Sequence, residues 1–183
     1  MLMNYNLLRV CVISTFLLST VACDSLKNAI KQNQTAKVID ASYATGDALV
    51  TRAGKNLSSS KPLIAATFVN IDDLEQTSSF GRIISKQVAS RFTQRGFSII
   101  EMLFRHNVFI KQDTGEFLLS RELRNISSEH NAQAVIVGTY AVGRKTVYVN
   151  ALLIRAVDSI VIASHDYTLP IDPDVTYLLQ NKQ

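Results

Sequence analysis

A large apolar residue recurs every four positions between two short apolar runs, and this pattern constrains the fold more than any other in the chain. Such spacing places the apolar side chains on one face of a helix. The flanking runs, residues 63–69 and 97–100, have the length of strands. The pattern predicts a strand–helix–strand unit whose strands are parallel and joined by a right-handed crossover. The residues of the helical repeat are Phe80, Ile84, Val88 and Phe92, with Ile83 beside them.

Both ends of this predicted helix carry boundary signals. Ser78 or Ser79 can begin it, because a serine hydroxyl accepts a hydrogen bond from a free amide of the first turn. Gly96 can end it, because glycine adopts the left-handed backbone conformation without a steric penalty. The loop at 70–79 then connects the first strand to the helix.

The remaining elements predict a single mixed-sheet α/β sandwich. A helix is expected over residues 41–57, and another from Ser120 to about His130. Short turns separate the apolar runs that close the domain, so these strands must be antiparallel to one another. In the middle run, odd-numbered residues from Val147 to Leu153 face one way and even-numbered residues from Tyr148 to Ile154 face the other. The three runs cover residues 134–141, 146–157 and 160–169.

The amino-terminal segment resembles a lipoprotein signal. Residues 1–22 contain an uncharged stretch that is too short to span a membrane as a helix, which indicates a secretory signal. Ser19–Cys23 resembles a bacterial lipobox, although Thr20 stands where leucine is usual. We therefore expect cleavage between Ala22 and Cys23, with a lipid attached to Cys23. The alternative is an ordinary signal peptide followed by an incidental cysteine.

The rest of the chain divides into a tether, a domain and a tail. Residues 23–40 are mostly polar and are predicted to form the acylated amino terminus and tether. Residues 41–169 form the predicted α/β domain, and residues 170–183 a carboxy-terminal tail. The chain has two cysteines, Cys11 and Cys23, so no disulfide can form once the signal is removed and Cys23 is acylated. The apolar core must then hold the domain together.

The charge balance argues against a nucleic-acid-binding protein. The formal net charge of the chain is +4, and removal of the signal would take away one cation, Arg9. The sequence shows no basic stripe with interleaved aromatic residues. We therefore expect no nucleic-acid partner, and we expect membrane attachment to come from lipid chains rather than from surface basicity.

The sequence carries no recognised catalytic or metal-binding pattern. A hydrolase needs a nucleophile, a base and an orienting group, but Ser120, His130 and Asp166 share no recognised spacing. The three histidines, His106, His130 and His165, are scattered, and no cysteine remains to complete a zinc site. We therefore expect no enzymatic activity, no cofactor and no metal.

The most suggestive polar cluster is an acidic loop made of Asp72, Asp73 and Glu75, with Arg82 nearby in sequence. It follows a strand and precedes a helix, which is where open α/β sheets bind ligands. The carboxylates could hold a divalent cation, and the helix start with Arg82 could bind an anion. A solvated loop is the plainer interpretation, and a contact with a partner protein is another. Exposed strand edges could equally bind a neighbouring chain.

Four segments of the sequence resemble the FlgO domain, which is named for a flagellar outer-membrane protein. They cover residues 68–82, 93–97, 115–122 and 137–140, within a resemblance that spans about residues 41–169. The third segment, Gly-Glu-Phe-Leu-Leu-Ser-Arg-Glu, is fairly specific. The wider pattern is similar to the curli secretion lipoprotein CsgG, to the peptidoglycan-synthase activator LpoB and to the amino-terminal domain of TolB.

The resemblance implies an α/β sandwich used for assembly and binding, with no catalytic residues to transfer. It implies a non-enzymatic envelope lipoprotein that supports flagellar basal-body assembly or stability, and hence motility. Its partners would be envelope or basal-body proteins, and its copies could form a ring. The resemblance favours the periplasmic side of the outer membrane, although Asp24, directly after the acylated cysteine, leaves the inner membrane open.

Two alternatives follow from the wider similarity. An LpoB-like module would regulate cell-wall synthesis by binding a synthase. A CsgG-like secretion pore ranks below both other functions, because a pore needs long alternating hairpins and only residues 146–169 are long enough to form one.

Overall fold

The computed structural model of this protein describes residues 37–74, 77–102 and 121–180. The predicted signal, lipid attachment site and most of the tether therefore lie outside the described residues. The same holds for Glu75, His106 and Ser120. Within the described residues, no helix combines the length and the apolar character needed to cross a membrane.

The described chain forms an α/β fold with one mixed sheet, as predicted. Its helices are α1 (37–53), α2 (Ser79–Gln94), α3 (Arg121–Glu129) and α4 (Pro173–Gln180), with a 3₁₀ turn at Gly54–Asn56 after α1. Its strands are β1 (Leu63–Ala66), β2 (Val69–Asn70), β3 (Ile99–Met102), β4 (Ala134–Val142), β5 (Thr146–Arg155) and β6 (Val161–Pro170).

The order of strands across the sheet is β3-β1-β4-β5-β6, and β2 lies in line with β1 beside β4. β1 pairs in parallel with both β3 and β4, which confirms the predicted strand–helix–strand unit. β4, β5 and β6 are antiparallel neighbours, as their short turns predict. The crossover from β1 to β3 and the crossover from β3 to β4 run in opposite directions across the sheet, so right-handed connections place α2 and α3 on opposite faces of the sheet.

The first face of the sheet is covered by α1, α2 and α4. All four residues of the predicted apolar repeat in α2 are fully buried there. Ile83 is 37% exposed, so the prediction that it joins this buried face is wrong. The reason is geometric: Ile83 directly precedes a member of the repeat and therefore lies about 100° around the helix from it.

The second face is covered only in part among the described residues. Leu123 and Ile126 of α3 pack on the half of the sheet that contains Val135, Leu152 and Ile154. The predicted alternation of β5 is confirmed, because Val147 through Leu153 at odd positions are buried under the first-face helices. At even positions, Leu152 and Ile154 lie beneath α3, whereas Tyr148 lies beyond it and is 57% exposed.

The sequence predicts one continuous strand at 63–69, and this prediction is wrong. The structure has two short strands there, β1 and β2. Ala65 pairs with Ile136 and Val69 pairs with Thr139, so this segment contains one residue more than the stretch of β4 beside it. An extra residue of this kind is a β-bulge, which reverses the faces to which the following side chains point. Here it turns Phe68 into the core of the first face.

Phe68 occupies space that only a glycine leaves open. A Cβ atom added to Gly138 on β4 would lie 2.4 Å from the Phe68 ring, far inside van der Waals contact. The carbonyl oxygen of Phe68 accepts a hydrogen bond from the Thr77 hydroxyl at 3.1 Å. The first turn of α2 also approaches this carbonyl closely, because a Cβ at Gly81 would lie 2.1 Å from it.

The start of α2 is fixed by Ser78, which settles the choice between the two candidate serines. The Ser78 hydroxyl accepts a hydrogen bond from the Gly81 amide at 3.2 Å and another from the Tyr140 hydroxyl at 2.7 Å. Burial raises the pKa of Tyr140, so its hydroxyl keeps its proton and remains a donor. Gly96 follows the helix with φ of 88°, which confirms its predicted role.

The helices at both ends of the described domain extend beyond the domain bounds that the sequence predicts. Residues 37–40, at the end of the predicted tether, already belong to α1, and α1 ends at residue 53 rather than 57. The predicted tail contains α4, which Asp172 begins by accepting a hydrogen bond from the Val175 amide at 2.8 Å. Val175 is buried against the first face, so this segment is part of the domain.

We expect Gly138→Ala to lower the free energy of unfolding by about 1–3 kcal/mol, because the new methyl group would overlap the Phe68 ring. Urea unfolding of the variant measures this directly. In the double variant with Phe68→Leu, the smaller side chain should relieve the overlap, so the double variant should lose less stability than the sum of the two single changes. Additive losses would contradict this packing argument.

Candidate functional site

The part of the second sheet face that α3 leaves uncovered forms a groove of about 500 Å³. It runs across the ends of β2, β4, β5 and β6. Its lining combines exposed apolar side chains with small polar ones, which is the character of a binding surface rather than of a closed cavity. The lining residues are Ile71, Thr139, Ala141, Tyr148, Val149, Asn150, Asp166, Tyr167 and Thr168.

Two of the side chains that line the groove are large, apolar and exposed. Tyr148 on β5 is 57% exposed, and Ile71, directly after β2, is 50% exposed. Tyrosine has a rigid apolar body and a polar tip, so it contributes large contact area at low entropic cost. The bulge at Phe68 sets the position of Ile71, because it moves the odd-numbered residues that follow it from the first face to this face of the sheet.

A cross-strand polar pair holds the acidic group of the groove. The Asn150 side-chain amide donates a hydrogen bond to the Asp166 carboxylate at 2.5 Å. The two residues lie directly opposite each other on β5 and β6. Among the described residues that line the groove, Asp166 is the one that carries a charge at neutral pH. The groove therefore presents a fixed negative charge beside an aromatic ring.

The opposite face of β6 is bound to α1. Arg52 donates a hydrogen bond from Nη1 to the Ser164 carbonyl oxygen at 2.6 Å, and the same atom lies 2.9 Å from Nδ1 of His165. Because a guanidinium only donates, Nδ1 must accept, and the proton of the neutral ring sits on Nε2. Burial, aided by the Arg52 charge, lowers the pKa of His165, and Asp166 offsets this in part.

Tyr167 points to the same covered face as His165. Its ring packs against the buried core there, and burial raises the pKa of its hydroxyl to about 12. It therefore contributes backbone rather than a titratable group to the groove. The side chains of β6 thus divide cleanly, with packing on one face and the groove on the other.

The structure places the described residues of the predicted acidic loop and Arg82 on different elements. Asp72 and Asp73 lie on the exposed turn after β2, where their amides donate to the side chain and carbonyl of Asn70 at 3.1 and 3.2 Å. Arg82 lies on α2, donates to the Ser79 hydroxyl at 2.8 Å and lines a small pocket beside Glu101 instead of the groove. Among the described residues of this loop, Ile71 is the one that lines the groove.

Among the described residues, the others considered for chemistry lie on different parts of the fold. His130 lies on the exposed turn after α3, whereas Asp166 lies in the groove and His165 faces α1. Across the described ranges, no group of three potential metal ligands lies close enough together to hold an ion.

Sequence reasoning missed most of the groove. The alternation of β5 placed Tyr148 and Asn150 on one face, but nothing in the sequence shows which part of that face α3 leaves open. Asp166 entered only as a rejected catalytic partner. Its pairing with Asn150 depends on the register between β5 and β6, which the turn at 156–160 sets.

The fold and the groove define a small mixed α/β module with an open groove on one sheet face. The sequence model of the FlgO family, described as FlgO protein, matches residues 43–174. This is more than half of the chain, and the chain belongs to the FlgO family. The predicted resemblance is thereby confirmed, and the match extends past residue 169 into α4. Membership of this family supports a cell-envelope lipoprotein module as its class.

Three solved structures are similar at low sequence identity. The LpoB C-terminal domain from Salmonella enterica is 13% identical, with 70% of this chain and 97% of that chain covered and a TM-score of 0.47. The PelC dodecamer from Paraburkholderia phytofirmans is 14% identical, with 70% and 86% covered and a TM-score of 0.46. Lipoprotein GNA1162 from Neisseria meningitidis is 11% identical, with 62% and 82% covered and a TM-score of 0.39.

These likenesses have TM-scores below 0.5 and carry no conclusion about function. No curated protein sequence matches the chain.

We expect stability to fall as the pH drops below about 6.5, the ordinary histidine pKa. The pKa of His165 is lowered in the folded chain, so in this window the unfolded chain binds more protons than the folded one. The stabilisation that the neutral His165 ring contributes is complete above the ordinary histidine pKa. It is lost as the pH falls through the lowered pKa of His165 in the folded chain. Urea unfolding at about pH 7.5 and about pH 5 measures the difference.

His165→Gln should reduce this pH dependence, because glutamine keeps an acceptor for Arg52 but does not titrate. The matched control is His130→Gln on the exposed turn, which should retain the wild-type dependence. An unchanged pH profile in His165→Gln would show that another group is responsible.

Proposed function

We propose that this protein is a lipid-anchored envelope module that supports assembly or stability of the flagellar basal body, and hence motility. It acts by docking other envelope or basal-body proteins in the groove on its second sheet face. The groove carries this proposal, because it is a large, preformed surface with an exposed aromatic side chain and a fixed carboxylate. Membership of the FlgO family supports the flagellar setting.

The proposal includes anchoring through Cys23 and a tether that precedes α1. The lipid would hold the domain on the periplasmic face of the outer membrane. A tethered domain searches only a thin layer near the membrane, so even a groove of modest affinity is occupied when its partner lies in that layer.

In this proposal the protein binds other proteins and is not an enzyme, and the chemistry of the groove supports this. General acid–base catalysis needs a proton donor and acceptor placed around a reacting atom. Here the carboxylate of Asp166 accepts a hydrogen bond from Asn150, and His165 on the same strand points to the other face. A single carboxylate beside an aromatic ring suits recognition of a cation or a polar backbone.

The test compares a strain that lacks this gene with strains complemented by the wild type, by Cys23→Ser and by Tyr148→Ala. We expect the deletion to weaken swimming in soft agar and to remove density at the outer-membrane end of basal bodies in electron tomography. Cys23→Ser should fail to restore either, because the lipid is absent. Tyr148→Ala should remove about 2 kcal/mol of docking energy, which is the scale of an aromatic hot spot.

The matched control is Tyr177→Ala. Tyr177 is a tyrosine of similar exposure on α4, which packs on the opposite face of the sheet from the groove. This variant should restore swimming fully. Normal swimming and intact basal bodies in the deletion strain would refute the flagellar role and would direct the search to regulation of cell-wall synthesis.

A further inference from the structure

β6 is an edge strand of the described sheet, and its backbone groups alternate in direction. The Ile171 amide donates to the Lys145 carbonyl at 2.9 Å, in the same register that pairs β5 with β6. In an antiparallel pair, hydrogen-bonded and non-hydrogen-bonded positions alternate. The backbone groups of Tyr167 and Leu169 therefore point toward β5, whereas those of Asp166 and Thr168 point outward from the sheet.

Both ends of this outward row are closed. The outward carbonyl of Ser164 accepts the hydrogen bond from Arg52, which confirms the direction derived from the register. Pro170, at the other end, has no amide hydrogen to donate. Between them, the amide and carbonyl groups of Asp166 and Thr168 form a short window that no other described strand pairs. Both residues are exposed.

The same two residues place their side chains in the groove. A strand that paired with the window would therefore extend the floor of the groove and direct every second side chain along its wall. In a segment added antiparallel to β6, the residue directly opposite Asp166 would lie on the same face as the carboxylate, about 5.5 Å away between Cα atoms. Opposite charges in such cross-strand positions attract, and like charges repel.

We propose that the groove and the β6 edge form one site, which binds a short extended segment of a partner protein by strand addition. The segment carries a lysine or arginine at the position that faces Asp166. This inference rests on the proposed function only in using the groove as the docking surface, and it holds whether or not the partner belongs to the flagellum.

Charge complementarity decides the occupant. A second copy that paired through its own window would bring two Asp166 carboxylates together, either directly opposite or as diagonal neighbours. The groove lining contains no cation among the described residues, and Arg52, at the end of the window, is held by the Ser164 carbonyl and by His165, which faces away from the groove. A cationic segment meets the carboxylate with an opposite charge, and the window, closed by Arg52 and Pro170, limits the paired stretch to a few residues.

The probes are two seven-residue peptides that alternate valine and threonine around a central lysine or a central glutamate. Each is titrated into the isotope-labelled full chain in detergent micelles, and amide exchange is followed residue by residue. We expect the lysine peptide to slow exchange at the Asp166 and Thr168 amides. We expect it to bind about fivefold more tightly than the glutamate peptide.

Two sets of controls test the charge of Asp166 and the backbone hydrogen bonds separately. Asp166→Lys should reverse the preference between the peptides, whereas Asp40→Lys, an equally charged change at an exposed position of α1, should leave it intact. A lysine peptide with methylated backbone nitrogens keeps its side chains but loses the hydrogen bonds of strand addition. It should bind at least tenfold more weakly.

Four results would overturn the inference. They are no protection by either peptide, equal affinity for both peptides, undiminished binding of the methylated peptide, and protection that grows with protein concentration in the absence of peptide. The last result would identify a second copy as the occupant. Because the assay uses purified protein, its failure would leave the flagellar role standing, and normal swimming of the deletion strain would leave this inference standing.

Discussion

The packing of the Phe68 ring on Gly138 is the contact on which the rest of the structure depends. Even a methyl group at residue 138 would overlap the ring, so that the ring or the strand would have to shift. With glycine at this position, the segment between β1 and β2 can contain one extra residue, and the Phe68 ring is buried at the same place. A bulge that would otherwise only disrupt the ladder is thereby stabilised by a fully buried aromatic side chain.

This bulge joins the core to the groove. It directs the Phe68 carbonyl toward Thr77 and the first turn of α2, so that the helix start is tied to the sheet. It also reverses the faces of the residues that follow, and Ile71 reaches the groove as a result. The same irregularity therefore sets the position of a core helix on one face and of an apolar contact on the other. Bulges often re-aim side chains next to functional sites in this way.

Part of the unpaired edge of β6 is blocked from pairing with another strand, and a short part of it is not. An unpaired edge invites aggregation, and natural proteins restrict it with charges, prolines and covering elements. Arg52 closes one end of the outward row, Pro170 closes the other, and the charge of Asp166 opposes pairing between copies. What remains is the short window that we propose as the site of strand addition. In that proposal, the groove beside it would supply contacts that generic strand pairing lacks.

The sequence by itself determined the local elements and their class. The four-residue period of α2, the glycine at its end and the alternation of β5 are short-range consequences of helix and strand geometry, and the structure confirms them. The FlgO resemblance, read from short segments, is confirmed as well. The lipid site at Cys23 stays a prediction, because it lies outside the described residues.

Tertiary structure alone decided where the proposed binding surface lies. The bulge depends on Gly138, which is distant in sequence from Phe68, and the exposure of Tyr148 depends on how far α3 extends over the sheet. The pairing of Asn150 with Asp166 and the outward direction of the Asp166 backbone depend on register between strands. Period and turn signals are local, whereas register and coverage come from contacts between distant segments, and a single sequence does not encode those visibly.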